Sequence, residues 1–158
     1  MPSHDAEEFD ATLYDELVAL TEASWARWLE ALARVPPEAL TRPGVCGAWS
    51  VSDLIGHVAA WDDVAVQKIG ALAGTAPPAV DDVDAFNARE AARRKDRAVD
   101  EQLAEMHRNH QRLLGALEGA SRASDDELQR VRRWIAGDTW EHYEEHAAQV
   151  AAAFPSLA

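Results

Sequence analysis

Trp49-Ser50-Val51-Ser52-Asp53-Leu54-Ile55-Gly56-His57-Val58-Ala59-Ala60-Trp61 is the stretch on which the reading of the chain turns. Ser50 is a strong helix N-cap, and Asp53 three residues on complements the positive helix end. Val51, Leu54, Ile55 and Val58, continued by Ala65, Val66 and Ile69, recur at helical spacing. The stretch therefore opens an amphipathic helix. His57 falls at the edge of its apolar stripe, where a side chain can reach a groove between helices.

A second stretch, Thr139-Trp-Glu-His142-Tyr-Glu-Glu-His146, places two histidines four residues apart. Four residues slightly exceed one helical turn, so His142 and His146 share one face and can close on one ion. Neutral imidazole is the commonest nitrogen ligand for divalent first-row metals, and three histidines with an open position suit catalytic sites of the zinc type. A His-x-x-x-His pair alone is a weak signal, because many helices carry one on a solvated face.

Outward from these stretches, Leu13, Leu17, Leu20, Trp28 and Leu32 mark a first helix over about Glu8 to Arg34, ended by Pro36-Pro37. Residues 1 to 7 carry no periodicity and are expected to fray. Val35 to Ala48, with Pro43, Gly44 and Gly47, reads as an ordered loop. Ala73-Gly74 and Pro77-Pro78 stop the helix of His57. The charged segment Asp81 to Ala98 predicts a short helix or a lid. Leu103, Met106, His110, Leu113 and Leu117 place a third long helix over Asp100 to Glu118, with His110 facing inward and His107 outward.

A short helical piece is expected over Glu127 to Trp134. Asp138-Thr-Trp-Glu141 has the form of a capping box, opening a last helix with Tyr143, His146, Val150 and Phe154 on its inner side. No segment alternates like a strand. The expected architecture is all-α: a four-helix bundle with a short extra helix or lid between helices two and three, in one domain over residues 1 to 158.

Composition narrows the function classes. A chain of 158 residues with 47% hydrophobic residues can bury a core without staples, so a metal here would serve chemistry rather than folding. The net charge of −13 opposes phosphate backbones and anionic lipid. The basic runs Arg89 to Arg97 and Arg130 to Arg133 are flanked by acids and read as solvated helix faces. Lone Cys46 cannot form an internal disulfide, and the acidic N-terminus is unlike a leader. A soluble, cytoplasmic setting is expected. The expected partners are a small-molecule substrate and a second copy in a homodimer, with neither nucleic acid nor membrane.

The element Gly47-Ala-Trp-Ser…His57…Trp61, paired with the later His142-x-x-x-His146, resembles the helix-two and helix-four signatures of the DinB-like family, and the likeness spans nearly the whole chain. That resemblance implies a divalent metal ion, nickel or zinc, on His57, His142 and His146. It also implies a thiol S-transferase that uses a low-molecular-weight thiol of the mycothiol or bacillithiol type on small electrophiles. The run His110-Gln-Arg-Leu-Leu with Phe86-Asn-Ala-Arg-Glu looks like the branch containing the colibactin self-resistance protein, which implies a hydrolase of reactive small molecules as the alternative. A binding module without catalysis is the third reading. Trp49, Trp61 and Phe86 are the candidate substrate-binding residues, with core packing as the other use of the tryptophans. Asp62 and Asp63 could orient a ligand imidazole, but solvated carboxylates are the expected description. Cys46, with no cationic neighbour in sequence, is expected to be structural.

Overall fold

Four of the described helices start where a short polar side chain takes an unpaired amide of the first turn. In the computed structural model, which describes residues 12–73 and 80–155, Thr12 with Asp15 caps α1 (Leu13–Ala33) and Ser50 with Asp53 caps α2 (Val51–Gly70). Ser124 with Glu127 likewise caps α5 (Asp125–Ile135). Each is a reciprocal capping box satisfying two backbone donors. Asp82 alone caps α3 (Val83–Arg94), while α4 (Val99–Gly119) and α6 (Trp140–Ala153) begin without a side-chain cap.

The expected four long helices are α1, α2, α4 and α6; α3 is the short extra helix expected between the second and third of them and α5 the short piece. Within the described chain α1 starts at Leu13, and the segment from Glu8 to Ala11 and the fraying expected of residues 1 to 7 lie outside the described residues. Helix α2 passes into a 3-10 turn, Ala71–Ala73. The stop expected at Gly74 and Pro77-Pro78 also lies outside the described residues. The loop from Val35 to Ala48 is ordered by a 3-10 turn at Pro37–Ala39 and by Gly47, whose φ of 56° lets the chain turn back so that Cys46 and Trp49 pair. No strand occurs among the described residues. None of the described helices is long and apolar enough to cross a membrane.

The capping box expected at Asp138 is not formed. Thr139 takes the cap position with φ −121° and ψ −102°, away from the extended geometry a side-chain cap needs, and makes no such bond. Asp138 turns instead to Lys68 on α2, with its Oδ2 2.7 Å from the ammonium.

Helix α2 packs along α4 and α1 along α6, whereas α2 and α6 meet over a short seam. The core divides along the bundle axis into two apolar clusters. One gathers Trp25, Trp28, Leu54, Ile55, Val58, Met106 and Val150; the other gathers Leu17, Ala65, Ile69, Leu113, Leu117, Val131 and Ile135. Between them lies a layer of buried polar side chains, including Thr21, Asp62, Asn109 and His110.

The third element that shapes the site is α3. Arg94, read from the sequence as part of a solvated face, is buried, and it pairs with Glu90 on its own helix and with Glu105 on α4, the latter at 2.6 Å. Its stem crosses α2 at Gly56, where a Cβ would stand 2.7 Å from Arg94 Cδ. Glycine at that position opens the notch that seats α3.

Candidate metal centre

His57 reaches from the second turn of α2 toward the first turns of α6, where His142 and His146 stand one above the other. All three present Nε2 to one another: His142 Nε2 is 2.8 Å from His57 Nε2 and 2.8 Å from His146 Nε2. The rings meet steeply, at 65° to 81°, so edges rather than faces converge. The structure thus brings together the three residues that the sequence singled out, and their ligand atoms can surround one ion.

Protonation does not account for the cluster. Burial pulls the His57 pKa down to about 3, with His146 and Arg94 adding repulsion. Burial pulls His142 down to about 2, with His146 and His57 adding to it, and it also lowers His146. Three neutral rings therefore share a space where a positive charge is expensive as a proton. On His146 the proton is placed by Gln149, whose Oε1 lies 2.6 Å from Nδ1. An amide oxygen accepts, so Nδ1 carries the hydrogen and Nε2 is left with a bare lone pair. That is how a metal-binding histidine is commonly oriented. His142 Nδ1 is buried with no partner in hydrogen-bond geometry. The donor set, the converging lone pairs and the fixed tautomer fit a divalent cation.

The cluster opens into a cavity of about 830 Å³ walled by Trp49, Trp61, Val83, Asn87, Trp134 and Lys68, among others. Its size suits a small molecule. Trp49 packs on His57 with ring centroids 4.8 Å apart, and Trp61 approaches His142 at 6.3 Å. Both tryptophans serve pocket and core at once. Phe86 stands behind the wall: it meets the Trp61 ring at 4.9 Å and lines a neighbouring polar groove of about 600 Å³. Val83 and Asn87 of the same helix face the histidine cavity in its place, and Trp61 Nε1 donates to Asn87 Oδ1 at 2.9 Å. Cys46 is half-buried in the cavity wall.

Asp62 departs from the solvated carboxylate expected of it. It is 0% exposed, it accepts the Tyr143 hydroxyl at 2.6 Å, and burial drives its pKa well above the ordinary carboxyl value despite that bond. Asp63 does stay at the surface, paired with Arg112 at 2.9 Å. His110 faces inward as expected, stacked on Trp25 at 3.8 Å with Nε2 2.9 Å from Glu22, and His107 is exposed. The sequence reading missed Gln149, Lys68, Asn87 and Trp134. Only Gln149, three residues beyond His146 on the same helix, carried a local signal.

The family model of the mycothiol maleylpyruvate isomerase N-terminal domain matches residues 21–148 of this chain, a span that holds all three histidines. A crystal structure of an uncharacterised protein from Escherichia coli UTI89 superimposes with a TM-score of 0.69 at 14% identity, covering 88% of this chain and 91% of that one. At that identity the likeness speaks for the fold. No curated protein matches the chain.

Proposed function

This chain belongs to the mycothiol maleylpyruvate isomerase N-terminal domain family, a group of DinB-like helical bundles, and from that premise we propose that it is a metal-dependent thiol transferase acting on small electrophiles. The observation that carries the reading is the convergence of three Nε2 atoms on one point, two of the contacts being 2.8 Å. His57, His142 and His146 would hold a nickel or zinc ion, since imidazole suits both. When bound, such an ion lowers the pKa of a thiol and presents it to an electrophile.

The chain's own residues do the rest. Gln149 keeps the proton of His146 on Nδ1, and the indoles of Trp49 and Trp61 flank the centre as apolar walls. Asn87 holds Trp61 upright through its indole N–H. Lys68, tied to Asp138 and to the Trp134 carbonyl at 3.1 Å, lines the same cavity. The thiol is supplied as a co-substrate of the mycothiol type, because Cys46, though in the cavity wall, has no hydrogen bond to a histidine that could take its proton.

The test is metal analysis of protein purified without an affinity tag, followed by turnover of an electrophile panel with and without mycothiol. Turnover that needs both metal and thiol, and that survives Cys46→Ser, supports the reading. Turnover that persists after complete chelation, or that needs no thiol, overturns it.

A further inference from the structure

The three histidines come from helices that belong to different pairs. Helix α2 rests on α4 and α6 rests on α1, so the seam between α2 and α6 on which the centre depends is the shorter contact. Apolar packing does join α2 to α6, with Val58 and Val150 in one cluster, but it is non-directional and sets the slide of α6 against α2 less sharply than a hydrogen bond does. A slide of one turn would carry His142 about 5.4 Å from its place beside His57.

Tyr143, between the two ligands of α6, lies across that seam. Its hydroxyl donates to Asp62 Oδ1 on α2 at 2.6 Å and stands 3.4 Å from His110 Nδ1 on α4, while His110 Nε2 meets Glu22 on α1 at 2.9 Å. One side chain from each long helix thus joins a single chain of polar contacts. It crosses the bundle between the two apolar clusters. Asp62 and Tyr143 are both 0% exposed, and Asp62 Oδ2 makes no hydrogen bond, standing 4.0 Å from His110 Nδ1. Buried polar groups that are costly to leave unmade are well suited to selecting one register over its neighbours.

We infer that Asp62 is a positioning residue of the three-histidine centre: through the Tyr143 hydroxyl it holds α2 and α6 in the register that sets His57 against His142 and His146. The first readout rests on the metal reading above; the second does not.

The experiment compares wild type with Tyr143→Phe, Asp62→Asn and the double variant Asp62→Leu/Tyr143→Phe. Zn²⁺ affinity is measured by chelator competition and ligand geometry by the visible spectrum of the Co²⁺ form, with the stability of each metal-free protein measured alongside. Asp62→Asn keeps an acceptor for the hydroxyl and should bind Zn²⁺ within about 3-fold of wild type. Tyr143→Phe should lose about 10- to 100-fold, the usual scale for a group that orients ligands, and should shift the Co²⁺ spectrum. The double variant replaces the pair with apolar side chains of similar volume, so it should keep stability yet lose affinity. Affinity that simply follows metal-free stability across the set overturns the inference, as does a double variant that binds like wild type. If wild type binds neither ion, the metal reading fails and the tie is judged in the metal-free protein. Nuclear Overhauser contacts between the His57 and His142 rings should then persist in Asp62→Asn and vanish in the double variant; persistence in all four proteins overturns it.

Discussion

Gln149 Oε1 stands 2.6 Å from His146 Nδ1, one turn further along α6. This contact decides which nitrogen of His146 is free, because the amide oxygen accepts only a hydrogen that Nδ1 must then carry. Replacing Gln149 with leucine removes the acceptor and lets the imidazole take either tautomer. Zn²⁺ affinity should fall about 10-fold or more, while the denaturation midpoint of the metal-free protein changes little. Chelator competition on the two proteins checks this.

The metal-free protein should lose stability as pH falls from about 6.5 toward about 3. Burial holds His57 at about 3 and His142 at about 2 in the folded state, against an unfolded value near ~6.5. In that window the unfolded chain takes up protons that the folded one refuses, so the equilibrium shifts toward unfolding as acid is added. The slope should be on the order of 1 kcal/mol per pH unit for each histidine. Asp62, with its raised pKa, acts in the opposite direction. Urea midpoints at pH 7, 6 and 5 for wild type and His142→Gln isolate the histidine part; an equally steep profile in the variant would contradict it.

Lys68 and Asp138 are mostly buried together, their side chains 17% and 9% exposed. Lys68→Met leaves the carboxylate unpaired in the wall of the cavity. The expected loss is about 3 kcal/mol, the lower end for breaking a buried pair, read by chemical denaturation. Asp138→Asn with Lys68→Met should recover part of it.

Gly56→Ala should destabilise the protein although alanine is the better helix former by about 1 kcal/mol. The new methyl group would meet Arg94 Cδ at 2.7 Å and Gln102 Nε2 at 2.8 Å. Arg94 is held by two glutamates and has little room to yield. An overall loss of about 1 to 3 kcal/mol is expected, with faster amide exchange over α3. A more stable variant would show that the notch is not needed.

What could be read from the sequence was local. The Ser50 cap with Asp53 is closed within four residues, so with the apolar stripe that follows it the start of α2 was legible; the Ser124 box with Glu127 is just as local but went unread, and α5 begins at Asp125, two residues before the expected Glu127. The four-residue step from His142 to His146 is likewise a property of one helix. Asp138 shows the weakness of the same signal, since Asp-x-x-Glu was present but the backbone at Thr139 turned it away. Asp62 and Arg94 were misread for a related reason: their partners Tyr143 and Glu105 lie on other helices, and charge patterning cannot see across a bundle. Phe86 was placed on the right helix but one step off the wall that Asn87 occupies.

The notch at Gly56 also separates two demands that a binding helix usually has to meet with the same side chains. Arg94 fastens α3 from beneath, at the end furthest from its N-cap. Val83, at the other end, lines the cavity while remaining 48% exposed. Substitutions at Val83 should therefore reshape the cavity without loosening the helix that carries them.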